Sequence, residues 1–322
     1  MTHSDLAWIF PGQGSQSVGM LAELLADSGV VQETFAEASE VLGYDLSQLV
    51  RQGPVDQLNQ TEHTQPALLV ASIAMVRWWR AMDGPEAGHL AGHSLGEYSA
   101  LVAAGAIAFA DAVTLVAFRG QAMAACGLKT GAEVGCMAAI LGLDEELLTA
   151  LCQQASSGDD GQVWVANLNC PGQVVVSGHA AAVSCVTVLA KTAGAKRTVM
   201  LDVSVPSHTP LMMPAAESMA QRLSEIEVRN PDRPVWCNTT ASMVHNADAV
   251  RQALVAQLTL PVQWTLSVRA MADAGVMQTV EMGPGKVLAG LVRRINRSIK
   301  VFSGETARTM GRNIESIVGV VI

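Results

Sequence analysis

Five residues, Gly92-His93-Ser94-Leu95-Gly96, carry the clearest chemical signature in the chain. They fit G-x-S-x-G, in which glycines two positions either side of a serine permit a sharp strand-to-helix turn that presents the hydroxyl to a carbonyl carbon. The uncharged Leu90-Ala91 ahead of it reads as the end of a buried strand, and Glu97 to Ala104 behind it as an apolar helix. In a chain with 28 glycines the bare pattern would mean little. The strand–turn–helix setting is what favours a nucleophile over a structural turn serine.

A serine at its free pKa is a poor nucleophile and needs a base, most often histidine. Of the seven histidines, His3 lies at the terminus, and His63, His89, His179 and His245 stand in polar, turn-like settings. His93 adjoins Ser94 and so points elsewhere; it either lines the pocket or supports the turn. His208 differs, lying in Val205-Pro206-Ser207-His208-Thr209-Pro210 between two prolines that stiffen the backbone. Thr209 is expected to cap a following helix with Pro210 at its first position, and that helix N-terminus to keep the imidazole neutral. No acid declares itself as a third member: Asp202 is only six residues before His208 and on a separate strand, and nothing in the surroundings of Asp232 or Asp248 singles them out. A Ser94–His208 dyad oriented by a carbonyl group is therefore preferred. The attacked carbonyl would become an oxyanion, for which the N–H of Leu95 is one donor and the Gly12-Gln13-Gly14 loop a source of a second. Arg119 is the only charged residue between Ala112 and Leu128 in an apolar helical pattern. It must either pair internally with an Asp or Glu or receive a carboxylate from a substrate.

The elements that would hold these groups read as α/β. Leu6 to Phe10 is a strand running into the glycine loop, and helical patterns follow at 18–27, 31–42 and from Gln65-Pro66 to Trp79. Asp111 is expected to cap a helix reaching about Ala125. Strands alternating with helices imply a parallel sheet covered on both faces. From about 132 the order becomes β-α-β-β-α-β, a ferredoxin-like motif inserted in the core. The division expected is a core of 1–131 and 204–322 and a small subdomain of 132–203. A net charge of -9 argues against a nucleic-acid surface, and no apolar run is long enough to span a bilayer. The polar start, Met1 to Asp5, carries no basic n-region, so no secretion signal is expected and the location is expected to be cytoplasmic. Six cysteines form no C-x-x-C pair and none sits at metal-ligand spacing, so neither a metal nor another cofactor is expected. The Gly283-Pro284-Gly285-Lys286 loop lacks the spacing of a phosphate loop.

In family order, the stretches Phe10-Pro11-Gly12-Gln13-Gly14-Ser15-Gln16, Thr64-Gln65-Pro66-Ala67-Leu68, Gly92 to Ala100, Arg119-Gly120, Asn169 to Val175, Val203 to His208, Gln257 with Pro261-Val262-Gln263-Trp264, and Gly283 to Leu288 resemble the malonyl-CoA:acyl carrier protein transacylases of bacterial fatty acid synthesis. The resemblance covers about 10 to 290. It implies an α/β-hydrolase-like core with a ferredoxin-like insertion, and an acyltransferase moving malonyl from malonyl-CoA to acyl carrier protein. It implies that Ser94 carries the acyl group, His208 is its base, Gln257 orients His208 through its main-chain carbonyl, Arg119 binds the malonyl carboxylate, and Gln13 and Leu95 form the oxyanion hole. A monomer is expected. Rival readings are a free-standing acyltransferase of polyketide synthesis, the malonyl-transfer subunit of a malonate decarboxylase, a serine esterase or thioesterase, and a non-catalytic carrier-docking module. Lys196-Arg197 and Lys286 with Arg293, Arg294 and Arg297 are candidate basic patches for an acidic carrier. Three departures stand out. The Cys126 to Cys136 link is a few residues long for the family, Leu260 precedes Pro261 where a polar residue is common, and the tail after about 302 matches nothing.

Overall fold

The first strand, β1 (Thr2–Phe10), shows why a parallel sheet forms here. Leu6, Trp8 and Phe10 enter one apolar cluster, while Ala7 and Ile9 enter another on the opposite face. Both faces of the strand are buried, so it reads as a continuous apolar run instead of an alternating one. The fold is that of a computed structural model, which describes residues 2–129, 135–158, 160–203 and 205–319. The expected subdomain junction at 131–132, and Ser204 at the other junction, lie outside the described residues.

The strands that follow are β2 (Glu86–Gly92), β3 (Gly135–Leu141), β4 (Val163–Cys170), β5 (Gln173–His179), β6 (Arg197–Met200), β7 (Val235–Trp236), β8 (Met243–Val244), β9 (Gln278–Glu281) and β10 (Lys300–Phe302). The larger sheet runs β10-β9-β1-β2-β7-β8, parallel except for the β7–β8 edge pair. The helices Thr61–Ala81, Phe109–Lys129 and Met213–Ser224 bury one of its faces, and Trp264–Asp273 and Val287–Ile295 the other. The smaller sheet, β4-β5-β3-β6, is antiparallel throughout, and the Glu145–Ala155 and Ala180–Thr192 helices cover one side of it. This is the β-α-β-β-α-β order expected. The segment entering the Trp264–Asp273 helix is stitched to β4 of the smaller sheet at Val262, whose N–H donates to Ala166 O at 2.9 Å and whose carbonyl accepts from Leu168 N at 2.9 Å. Among the described residues no helix is long and apolar enough to cross a membrane.

Several boundaries differ from the sequence reading for physical reasons. The long helix begins at Thr61, not at Gln65, so Pro66 lies in its second turn, where the loss is one bond to the Glu62 carbonyl. Asp111 is not a cap. The helix starts at Phe109 and Asp111 sits in its first turn, where a carboxylate favours the helix dipole. Leu46–Gln52, β8, β10 and the Ala307–Val318 helix are additional elements; β10 extends the parallel sheet beyond β9, so the tail after 302 follows directly from the sheet edge.

Glycines decide how closely the segments can approach. A β-carbon on Gly92 would collide with the Gly96 backbone, and one on Gly96 with the Phe10 carbonyl. The tip of β2, the first turn of the next helix and the end of β1 are therefore in direct backbone contact. We expect Gly96→Ala to cost about 3 kcal/mol or more of stability, beyond ordinary overpacking. Gly290→Ala, where an added β-carbon meets nothing within 4 Å in the Val287–Ile295 helix, should stabilise by about 0.5–1 kcal/mol. Chemical denaturation of the two variants checks the contrast.

Candidate active site

Ser94 stands at the turn between β2 and the Gly96–Ala103 helix with φ of 51°, a left-handed backbone that L-residues rarely adopt. Both of its peptide groups are held by distant side chains. Its N–H donates to Asn238 Oδ1 at 2.7 Å, and its carbonyl accepts from Gln257 Nε2 at 2.9 Å. Asn238 is itself anchored, donating through Nδ2 to the Gly92 carbonyl at 2.6 Å. The turn is thus clamped at its start and at its apex by one side chain from just past β7.

His208, 114 residues away in sequence, places Nε2 at 2.9 Å from Ser94 Oγ. It too has a left-handed backbone, φ 61°, and is almost fully buried. Nδ1 lies 2.7 Å from the main-chain carbonyl of Gln257. A carbonyl only accepts, so Nδ1 carries the proton, Nε2 is the free lone pair, and the serine hydroxyl donates to it. The partner carbonyl is available for a reason visible in the chain. Gln257 lies in the last turn of the Ala247–Thr259 helix, and the residue four positions on is Pro261, which has no N–H to occupy it. Among the described residues no carboxylate touches His208. Asp232 pairs with Arg233 and Asp248 with Arg251.

Burial, then the nearby Arg119 charge, pushes the His208 pKa down from 6.5 to about 3. The expected helix contribution needs correction. Thr209 makes no capping bond; its hydroxyl donates to the Pro206 carbonyl at 2.7 Å, and the helix opens with a single 3-10 turn, Pro210–Met212. Neutrality of the imidazole comes from burial and from Arg119.

Arg119 is fully buried. The internal pair with an Asp or Glu is not formed, because among the described residues no carboxylate bonds it. Nη1 donates to Gln65 Oε1 at 2.8 Å and Nη2 to Gln257 Oε1 at 3.0 Å, while Nε has no partner. The Tyr98 ring lies 5.4 Å from the guanidinium carbon. Gly120 permits this placement: a β-carbon there would strike the Thr61–Glu62 backbone, so the two long helices approach closely one turn from Gln65. The cation is therefore positioned by two neutral amide oxygens, with no carboxylate hydrogen-bonded to it among the described residues.

These features have counterparts in known proteins. Residues 7–319 match the acyl transferase domain family. The chain is 52% identical over 292 residues to the malonyl CoA-acyl carrier protein transacylase of Escherichia coli, covering 91% of this chain and 93% of that one. The protein belongs to the malonyl-CoA:acyl carrier protein transacylase family. The transacylase of Bacillus subtilis is 41% identical over 314 residues, 98% of either chain. Among solved structures, the transacylase of Xanthomonas oryzae superposes with a TM-score of 0.94 at 46% identity, covering 98% of this chain and 99% of that one. A malonyl-transacylase solved in complex with a type II polyketide synthase acyl-carrier protein gives 0.93 at 46% identity, covering 97% of this chain and all of the other. The family match runs to 319, well past the limit at about 290 read from motifs alone.

The backbone N–H groups of Gln13 and Leu95 donate to no acceptor among the described residues, while the Gln13 side chain accepts from Thr61 Oγ1 at 3.2 Å. His93 is tied down by three contacts: its N–H donates to the Phe10 carbonyl at 3.0 Å, its Nε2 lies 2.8 Å from Asn169 Oδ1, and its ring meets Trp264 edge-on at 5.7 Å. Of the basic candidates, Arg294 reaches Gln173 Oε1 at 2.6 Å, four residues past Asn169. Lys196 joins the same end of the small sheet through Leu141. Sequence reasoning did not single out Asn238, Glu97 or the acceptor role of Gln65. Apart from the family resemblance, only the Pro261 spacing points to the Gln257 carbonyl.

We expect ¹⁵N NMR of the imidazole to show His208 neutral and protonated on Nδ1 between about pH 5 and 8. Because its folded pKa lies below the unfolded value of 6.5, the native state leaves it uncharged while the unfolded state takes a proton. Its contribution to stability is complete above 6.5 and is lost as pH falls toward about 3. An imidazolium signal at about pH 6 would contradict the arrangement.

Proposed function

We propose that the protein transfers the malonyl group of malonyl-CoA to the phosphopantetheine thiol of acyl carrier protein through a malonyl-Ser94 ester, supplying extender units for fatty acid synthesis in the cytoplasm. Ser94 Oγ attacks the thioester carbon as His208 Nε2 takes its proton. The resulting oxyanion receives the N–H groups of Gln13 and Leu95. The carbon–sulfur bond then breaks, and coenzyme A leaves as the thiol with the proton from His208. The carrier thiol enters by the same steps in reverse, giving up its proton to His208 and releasing Ser94. One thioester replaces another, so the exchange needs no energy input beyond binding. Gln257 holds His208 through its main-chain carbonyl, and His93 keeps the turn in place from behind.

The observation that carries this reading is the Arg119 cation, which has no carboxylate bonded to it among the described residues. A guanidinium with neutral amide partners and one unpartnered N–H, buried beside a serine–histidine pair, is suited to a substrate that brings its own carboxylate. A simple ester or acetyl thioester offers no such group, which disfavours an esterase. Six free cysteines, buried or half-buried, fit a reducing compartment.

Steady-state kinetics with malonyl-CoA, acetyl-CoA and holo carrier protein tests the reading. Arg119→Ala should weaken malonyl transfer by about 2–5 kcal/mol in kcat/KM, with far less effect on acetyl transfer. Gln65→Glu, nearly isosteric, should leave Arg119 in place but neutralise it, and lower the malonyl preference in the same direction. Unchanged preference in both variants would remove Arg119 from the site.

A further inference from the structure

Glu97 lies three residues beyond the nucleophile and is almost completely buried, with no arginine or lysine bonded to it among the described residues. One carboxyl oxygen, Oε1, has no hydrogen-bond partner among the described residues. The other, Oε2, accepts from Gln257 Nε2 at 2.5 Å and, at the long distance of 3.4 Å, from Asn238 N. A carboxyl buried in this way is costly, and an apolar side chain would cost less unless the acceptor has a task.

The task follows from counting the hydrogen bonds of Gln257. Its amide nitrogen has two protons: one goes to the Ser94 carbonyl and the other to Glu97 Oε2. Its amide oxygen accepts from Arg119 Nη2. Rotated by half a turn, the same amide would aim its NH₂ at the guanidinium, donor against donor. Its oxygen would face the Ser94 carbonyl and Glu97, acceptor against acceptor, and all three bonds would be lost. We infer that Glu97 is a positioning residue that fixes which way round the Gln257 amide stands, and through that amide keeps Arg119 and the Ser94 turn in register with His208. Burial pushes the Glu97 pKa up to about 7, but the role survives protonation: with the proton on the unpartnered Oε1, Oε2 is still an acceptor.

The inference rests on the reading of Arg119 as the malonyl carboxylate site, and Arg119→Ala serves as the control that separates the two. If Arg119→Ala leaves the malonyl preference intact, that reading fails first. The test compares kcat/KM for malonyl-CoA and acetyl-CoA in Glu97→Leu, Glu97→Asp and Glu97→Gln, with thermal unfolding to confirm that each is folded. Glu97→Leu, which lacks the acceptor, should lower the malonyl-over-acetyl ratio by about tenfold or more, the scale of a lost bond to a charged network. Should it not fold, Glu97→Asp carries the test: its oxygens are withdrawn by one methylene, and the ratio should fall in the same way. Glu97→Gln, whose amide oxygen can take both N–H groups in the place of Oε2, should stay within about threefold of the parent. A wild-type ratio in folded Glu97→Leu or Glu97→Asp, with the Arg119→Ala control sensitive, would overturn the inference. So would a loss in Glu97→Gln as large as that in Glu97→Leu.

Discussion

The left-handed backbone at Ser94 is the constraint on which the site depends. A serine in that conformation stores strain, and the turn keeps its shape because its surroundings over-determine it. Gly92 and Gly96 allow the backbone of β2, the following helix and the end of β1 to touch, which leaves the turn nowhere else to go. Asn238 and Gln257 then take the N–H and the carbonyl of Ser94. The side chain that would do the chemistry is thereby presented by a backbone tied at both ends to segments more than 140 residues away.

Gln257 links this strain to the electrostatics. Its main-chain carbonyl holds the His208 tautomer, its amide nitrogen holds Ser94, and its amide oxygen holds Arg119. A neutral carbonyl in place of an acid beside the imidazole has a consequence for the cation nearby. A carboxylate there would raise the His208 pKa and draw the Arg119 charge to itself. With amide and carbonyl oxygens in those positions, burial and the Arg119 charge keep the imidazole a base, and no carboxylate is hydrogen-bonded to the guanidinium among the described residues.

What the sequence discloses follows the range of the interactions. Ser94, His208 and Arg119 stand out because short-range features mark them: a glycine-spaced turn, a proline-framed loop, a lone charge in an apolar helix. The alternating strands and helices of the core and the β-α-β-β-α-β insertion are likewise written in local periodicity. Asn238, Glu97 and Asn169 are invisible at that level, because their partners are contacts across the fold between ordinary polar residue types. The Gln257 carbonyl leaves no trace in residue type, since every residue has one; beyond the family resemblance, only the proline four positions later hints at it. The sequence points to a helix terminus for the neutral His208 because capping is readable from Thr209-Pro210, whereas burial of the ring depends on how distant segments pack. Short elements such as β8 and β10 are too brief for a period to be counted, and β10 forms because the exposed edge of β9 can accept it.

The central claim is that Ser94, activated by His208, becomes the acyl carrier. Mixing the protein with malonyl-CoA in the absence of carrier protein and mapping the product by peptide mass spectrometry tests it most directly. The account predicts a single malonyl ester on the peptide containing Ser94, absent in Ser94→Ala and discharged when holo carrier protein is added. No adduct, or an adduct on any other residue that carrier protein discharges equally well, would contradict it.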